Sequence, residues 1–243
     1  MPVFDLYSGQ DPRTLPIYSV RSAAWLLAIH PATLRTWVSG RARRGARAHG
    51  EESALEVLIQ TPIAGRLSFV NLIEAHVLSA IRRRHGVSLP KVRQALSFVR
   101  RQNPDSQHPL AEQNFETNGV DLFVRYFDLP VNASRGGQIA IKEIIEVHLH
   151  RIGRDDKGLP VRLFPFVRAQ SNASLQTLRD DPKSIVVDPT ISFGKPILSG
   201  TNISTQTLIS RFRAGDSIVD LADDFDLEAQ LIEDAIRYEA KAA

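Results

Sequence analysis

Between Tyr18 and Val38 apolar residues recur at helical spacing, stop, and start again within a few positions. Ser19 stands where a helix N-cap is wanted. Val20, Ala23, Ala24 and Leu27 follow at i, i+3, i+4 and i+7, which makes one face of a first helix apolar. Ile29 and His30 interrupt the pattern, and Pro31 suits the first turn of a second helix, where its missing N–H would have had no intrahelical partner. On that second helix Leu34, Trp37 and Val38 share the inner face, while Thr33, Arg35 and Thr36 point away from it. Two short helices at a tight corner, the second showing arginine and threonine outward, predict a helix-turn-helix. Its second helix can enter a major groove, with Arg35 donating two hydrogen bonds to a guanine edge and Thr33 and Thr36 beside it.

The eight residues from Gly40 to Arg47 hold Arg41, Arg43, Arg44 and Arg47 between turn-forming glycines. A packing role needs no such loop; phosphate contact does, and Arg21 on the first helix would join it. Ala54 to Ile59 is apolar and reads as a strand returning from the loop, so that loop and strand form a wing. On Tyr18-Ser19-Val20 and Thr33-Leu34-Arg35-Thr36-Trp37 the stretch resembles the winged helix-turn-helix of the MerR and excisionase families, which implies a DNA-binding module.

A net charge of +3 over 243 residues conceals an asymmetry along the chain. Residues 1–102 hold fifteen Lys and Arg against six Asp and Glu, residues 103–182 nine against eleven, and residues 183–243 six against ten. The front is therefore +9, the middle −2 and the rear −4. A basic front end suits a polyanion, which the acidic rear would repel. Cysteine is absent, which removes disulfides, thiolate metal sites and thiol nucleophiles together. No apolar run is long enough to span a bilayer, and Met1 to Asp5 lacks a signal pattern, so a cytoplasmic protein without membrane contact is expected.

Residues 1–17 read as an extended arm and residues 18–102 as the DNA-binding domain. In the latter, Ser68 and Ser88 cap two helices that cover the core, with Lys91, Arg93, Arg100 and Arg101 outward on the second. His76 falls on an apolar face and reads as a core histidine. Residues 103–182 read as a small α+β unit, with strands at Leu122 to Phe127 and Val161 to Phe166, the latter an edge strand because of Pro165. Between them lies a helical pattern on Ile141, Ile144, Ile145 and His148. His148 and His150 lie near Asp155 and Asp156. On a helix positions i and i+2 point about 200° apart and cannot share a metal ion, whereas on a strand they would share a face; as no motif places a third ligand, no metal is expected.

Residues 183–243 read as a β-hairpin followed by three short helices capped by Ser204, Ser217 and Asp226, the first stopping at Gly215. Val187-Asp188-Pro189, Gly194-Lys195-Pro196, Ser199-Gly200-Thr201, Gly215-Asp216-Ser217 and Leu221-Ala222-Asp223-Asp224-Phe225 closely resemble a small bacterial family first catalogued as a domain of unknown function. That family has a hairpin and a tri-helical core and is usually encoded beside a PIN-like nuclease. With the winged module in front, the whole resembles a VapB-like antitoxin of the larger, two-domain type. Asp223, Asp224, Asp226 and Glu228 read as helix-capping and dipole charges rather than metal ligands.

The expected fold is mainly α with small β elements: a winged helix-turn-helix, an α+β middle, and a hairpin with a helix-turn-helix-like bundle. No phosphate loop, nucleophile elbow, His-Glu-x-x-His or thiol is present, so neither an enzyme nor a cofactor is expected. The resemblance implies an antitoxin that binds operator DNA as a homodimer, represses its own operon and neutralises a PIN-type, VapC-like ribonuclease toxin. The alternative is a MerR-like transcriptional regulator whose rear domain senses a ligand.

Overall fold

Capped helices and strands of two to four residues make up the computed structural model, which describes residues 7–39, 57–85, 88–102, 104–113, 142–143, 145–168 and 174–240. The arginine loop from Gly40 to Arg47 and the middle strand from Leu122 to Phe127 lie outside the described residues. The contacts divide the chain into two compact units: residues 1–25 with 29–149, and residues 26–28 with 150–243. That division falls inside the stretch 103–182 which charge and texture had set apart.

In the first unit β1 (Tyr18–Ser19) leads directly into α1 (Val20–Leu26), and the Ser22 amide donates to Ser19 Oγ at 3.0 Å. That is the N-cap expected from the sequence. The helix ends at Ala28, whose φ of +49° lets the Ile29 amide return to the Ala24 carbonyl at 2.8 Å. A left-handed residue with a Cβ costs roughly 1–2 kcal/mol. The corner thus turns one residue before Ile29 and His30, where only the broken pattern was visible. After α2 (Pro31–Ser39), β2 (Arg66–Leu67) pairs antiparallel with β1 through Tyr18–Leu67 and Ser19–Arg66. Gly65, with φ +75°, makes the turn that delivers Arg66 to this pairing.

Two helices follow, α3 (Phe69–His85) and α4 (Leu89–Gln102). Ser68 and Asn71 cap α3 reciprocally: the Asn71 amide donates to Ser68 Oγ at 3.2 Å, and the Ser68 amide to Asn71 Oδ1 at 3.1 Å. From Asn71 to Ile81 every side chain of α3 is buried, so its polar groups need partners inside the protein. Asn71 Nδ2 donates to the Gln60 carbonyl at 2.8 Å and to Glu74 Oε2 at 3.1 Å, and His108 Nδ1 donates to Glu74 Oε2 at 3.0 Å. His76 is a core histidine, its Nε2 donating to the His148 carbonyl at 3.3 Å and its ring edge-on to that of His148.

The second unit holds two antiparallel hairpins, β3 (Ile152–Arg154) with β4 (Pro160–Leu163) and β5 (Ile185–Val186) with β6 (Ile197–Leu198). Leu163 and Val187 exchange two backbone hydrogen bonds, of 2.9 and 2.8 Å, which join the hairpins. β4 is therefore paired on both sides at Leu163. In its two-stranded sheet β4 is an edge strand, as expected, but it ends at Leu163, two residues before Pro165. A short helix, α5 (Leu175–Arg179), precedes β5.

Three helices close the unit: α6 (Thr205–Ala214), α7 (Ile218–Phe225) and α8 (Ala229–Ala240). Ser204 caps α6, Gly215 at φ +118° ends it, and Ser217 with Asp220 forms a capping box on α7. Asp226 does not cap α8 as expected from sequence. At φ +52° it is the left-handed terminator of α7, and the Leu231 and Ile232 amides start α8 from the Glu228 carbonyl. Leu208, Ile209, Leu221, Ala222, Ile232, Ala235 and Tyr238 are buried as the three-helix core. In the same unit Arg151, 2% exposed, donates to the carbonyls of Phe164, Phe166, Asp181 and Pro182.

Candidate nucleic-acid interface

The start of α2 is set by a histidine acting as a cap. The Thr33 and Leu34 amides donate to the His30 carbonyl, and the Ala32 amide donates to His30 Nδ1 at 3.2 Å. The ring nitrogen thus does the work usually given to a Ser, Thr or Asp oxygen, worth about 1 kcal/mol. Leu34, Trp37 and Val38 are the buried residues of α2, as the helical spacing predicts. Burying that stripe turns the opposite stripe to solvent.

Arg35 is exposed on this outer stripe, and Thr33 and Thr36 are half-buried at its sides. The Thr36 hydroxyl donates to the Thr33 carbonyl at 2.7 Å, so its oxygen can still accept and its methyl can still make apolar contact. Ser39 donates to the Arg35 carbonyl at 2.8 Å, which ties off the last turn. Arg21 is exposed on α1. Arg41, Arg43, Arg44 and Arg47 lie outside the described residues. The arrangement can offer one planar, five-donor guanidinium to a base edge from a rigid helix, with a second cation on the preceding helix.

Two of the sequence expectations for this unit change. Of the strand expected at Ala54 to Ile59, the described residues 57–59 are not in a strand. The Leu58 and Ile59 amides instead donate to the Trp37 carbonyl at 3.0 and 3.1 Å, serving the end of α2. Arg100, expected to face outward, reaches the Val57 and Leu58 carbonyls. Conversely, exposed Arg66 was not singled out from sequence. Its only signal was the preceding Gly65, and its place opposite Ser19 depends on strand pairing.

In the second unit Asp220, Asp223, Asp224, Asp226 and Glu228 are all exposed. Asp220 is held below the usual carboxylate range by hydrogen bonds from the Ser217 hydroxyl and amide. Arg211 reaches Asp216 at 2.5 Å and Asp224 at 2.6 Å. These acids point to separate tasks, and among the described residues no three His, Cys, Asp or Glu side chains group to hold a metal ion. His148 packs on His76, whereas His150 is exposed. Among the described residues no helix is long and apolar enough to cross a membrane.

Residues 16–96 match the family described as "Putative DNA-binding HTH domain", and residues 185–238 the family described as "Protein of unknown function (DUF433)". The chain thus carries a segment matching a helix-turn-helix family in front and one matching DUF433 behind. The chain is similar to "Putative antitoxin VapB45" of Mycobacterium tuberculosis, at 28% identity over 240 residues, spanning 91% of this chain and 93% of that protein. It also shares its fold with the crystal structure of Rv2018 from Mycobacterium tuberculosis. There the TM-score is 0.63 and the identity 24%, across 91% of this chain and 98% of the other.

Proposed function

We propose that the chain is an antitoxin of a type II toxin–antitoxin pair, which binds operator DNA through its first unit and a PIN-type ribonuclease toxin through its second. It acts by binding, without catalysis or cofactor, in the cytoplasm where its operator lies. The observation that carries the DNA half is α2: a helix with one face buried and Arg35 exposed on the other, within residues 1–102, whose net charge is +9. A homodimer would place two such helices about one DNA turn apart on a palindromic site and repress its own operon. Arg35 and Thr36, flanked by Thr33, would read bases, while Arg21, Arg41, Arg43, Arg44 and Arg47 neutralise phosphates. The toxin half is supported by the likeness to a protein named as an antitoxin, and by the anionic charge of the rear segment, which suits the cationic groove of a nuclease.

The test has two arms. Arg35→Ala should weaken operator binding by about 1–3 kcal/mol and relax specificity at one base position. An equal loss on random DNA would make Arg35 a phosphate contact instead. In the second arm the product of the neighbouring open reading frame is assayed as a ribonuclease with and without the full chain. Activity that persists in the presence of excess chain would refute the antitoxin reading.

A further inference from the structure

Residues 57–60 belong to no strand, yet their backbone is gripped from several sides. Arg100 Nη1 donates to the Val57 carbonyl at 3.3 Å and Nη2 to the Leu58 carbonyl at 2.8 Å. Asn71 Nδ2 holds the Gln60 carbonyl at 2.8 Å, and is itself held by the buried Glu74. Between these pins the Leu58 and Ile59 amides both point at the Trp37 carbonyl. Leu58 and Ile59 are 1% and 0% exposed, so the middle of this short segment is buried as well as hydrogen-bonded.

The Trp37 carbonyl lies in the last turn of α2, among the carbonyls that a helix end leaves short of intrahelical donors. Residues 58 and 59 donate to it from outside the helix. The end of α2 is therefore tied to the segment 57–60, and the fork of Arg100 holds two successive carbonyls of that segment. A lysine has the same charge but no planar fork, and cannot reproduce the double contact.

We propose that Arg100 is a positioning residue for DNA recognition: without reading a base, it sets the end of the recognition helix through the Val57 and Leu58 carbonyls. Asn71 is the second pin of the same clamp. The inference rests on the reading of α2 as the recognition helix, but the clamp itself can be measured without DNA.

The variant is Arg100→Lys in the full chain. Amide hydrogen exchange of the free protein should show Leu58 and Ile59 exchanging ~10-fold faster or more, with the amides of α3 at their wild-type rates. Unchanged exchange at 58 and 59 overturns the clamp. Equal acceleration throughout α3 makes Arg100 a general stability residue and overturns it too. On DNA, operator affinity should fall ~10-fold while affinity for random DNA and the slope against salt stay unchanged, since the charge is kept. If Arg100 were instead a phosphate contact, lysine would serve and operator affinity would not move. Should the wild-type chain prefer no DNA sequence at all, the recognition reading fails together with this role, while the exchange rates still judge the clamp alone.

Discussion

Asp234 sits on α8 with no solvent exposure, and its carboxylate organises the second unit. It accepts a two-pronged contact from Arg168, at 3.0 Å from Nε and 2.5 Å from Nη2, and a further hydrogen bond from Ser184 Oγ at 2.5 Å. Consider Asp234→Ala. The Ser184 hydroxyl, in a residue 3% exposed, loses its acceptor, and stranding a buried polar group costs about 1–3 kcal/mol. Arg168 has a side chain 32% exposed and can turn towards water, so its contribution is smaller than the roughly 3–5 kcal/mol of breaking a wholly buried pair. The loss should total about 2–4 kcal/mol. Asp234→Asn keeps the shape and an acceptor for Ser184 but loses the charge, and should cost about half as much. Both tryptophans, Trp25 and Trp37, lie in the first unit, so fluorescence would miss the event. Urea unfolding followed by far-UV circular dichroism reports the loss of all the helices, α6 to α8 among them. A loss below about 0.5 kcal/mol for the alanine variant would mean that burying the ion pair costs as much as the pairing returns, and the argument would be wrong.

Three further predictions concern single groups. Burial works against the charged form of His108, but its hydrogen bond and ion pair with Glu74 outweigh it and raise its pKa above the ordinary 6.5. That contribution is present in full below about pH 6.5 and is lost as pH rises through the raised value. Urea midpoints should therefore fall between pH 6 and 8, less so in His108→Gln; parallel profiles for the two proteins would refute it. Gly215 ends α6 at φ +118° with open space where a Cβ would go, so Gly215→Ala should cost about 1 kcal/mol from backbone conformation alone, read as a lower melting temperature. Ser217→Ala removes half of the capping box on α7 and should cost about 1 kcal/mol; a change under 0.3 kcal/mol in chemical denaturation would mean that water replaces the cap.

The legible parts of the fold were those encoded within a turn or two of chain. The buried face of α2 followed from the 3.6-residue period, and Ser19, Ser68, Ser204, Ser217 and Gly215 marked helix ends because a cap bonds to amides or carbonyls only a few residues away. Less legible were ends made by unexpected residues. Ala28 takes a left-handed conformation without being glycine, His30 caps through its ring, and Asp226 ends α7 instead of capping α8. In the candidate interface, the exposure of Arg35 and Arg21 followed from helix faces, whereas the role of Arg100 did not. A basic residue late in an amphipathic helix reads as solvated until the carbonyls opposite it, over forty positions earlier in the chain, are known.

By itself the sequence determined where most helices begin, which stripe of α2 is apolar, and that positive charge gathers at the front and negative charge at the back. These are properties of neighbours along the chain, set by helix period, capping and composition. Tertiary structure alone decided which distant groups complete one another. Residues 57–60 became a cap for α2 instead of a strand, β4 found a second partner in Val187, and Asp234 was matched with Arg168 and Ser184. The reason is that a buried polar group must be satisfied by whatever packing brings within about 3 Å, and no local pattern names that partner in advance.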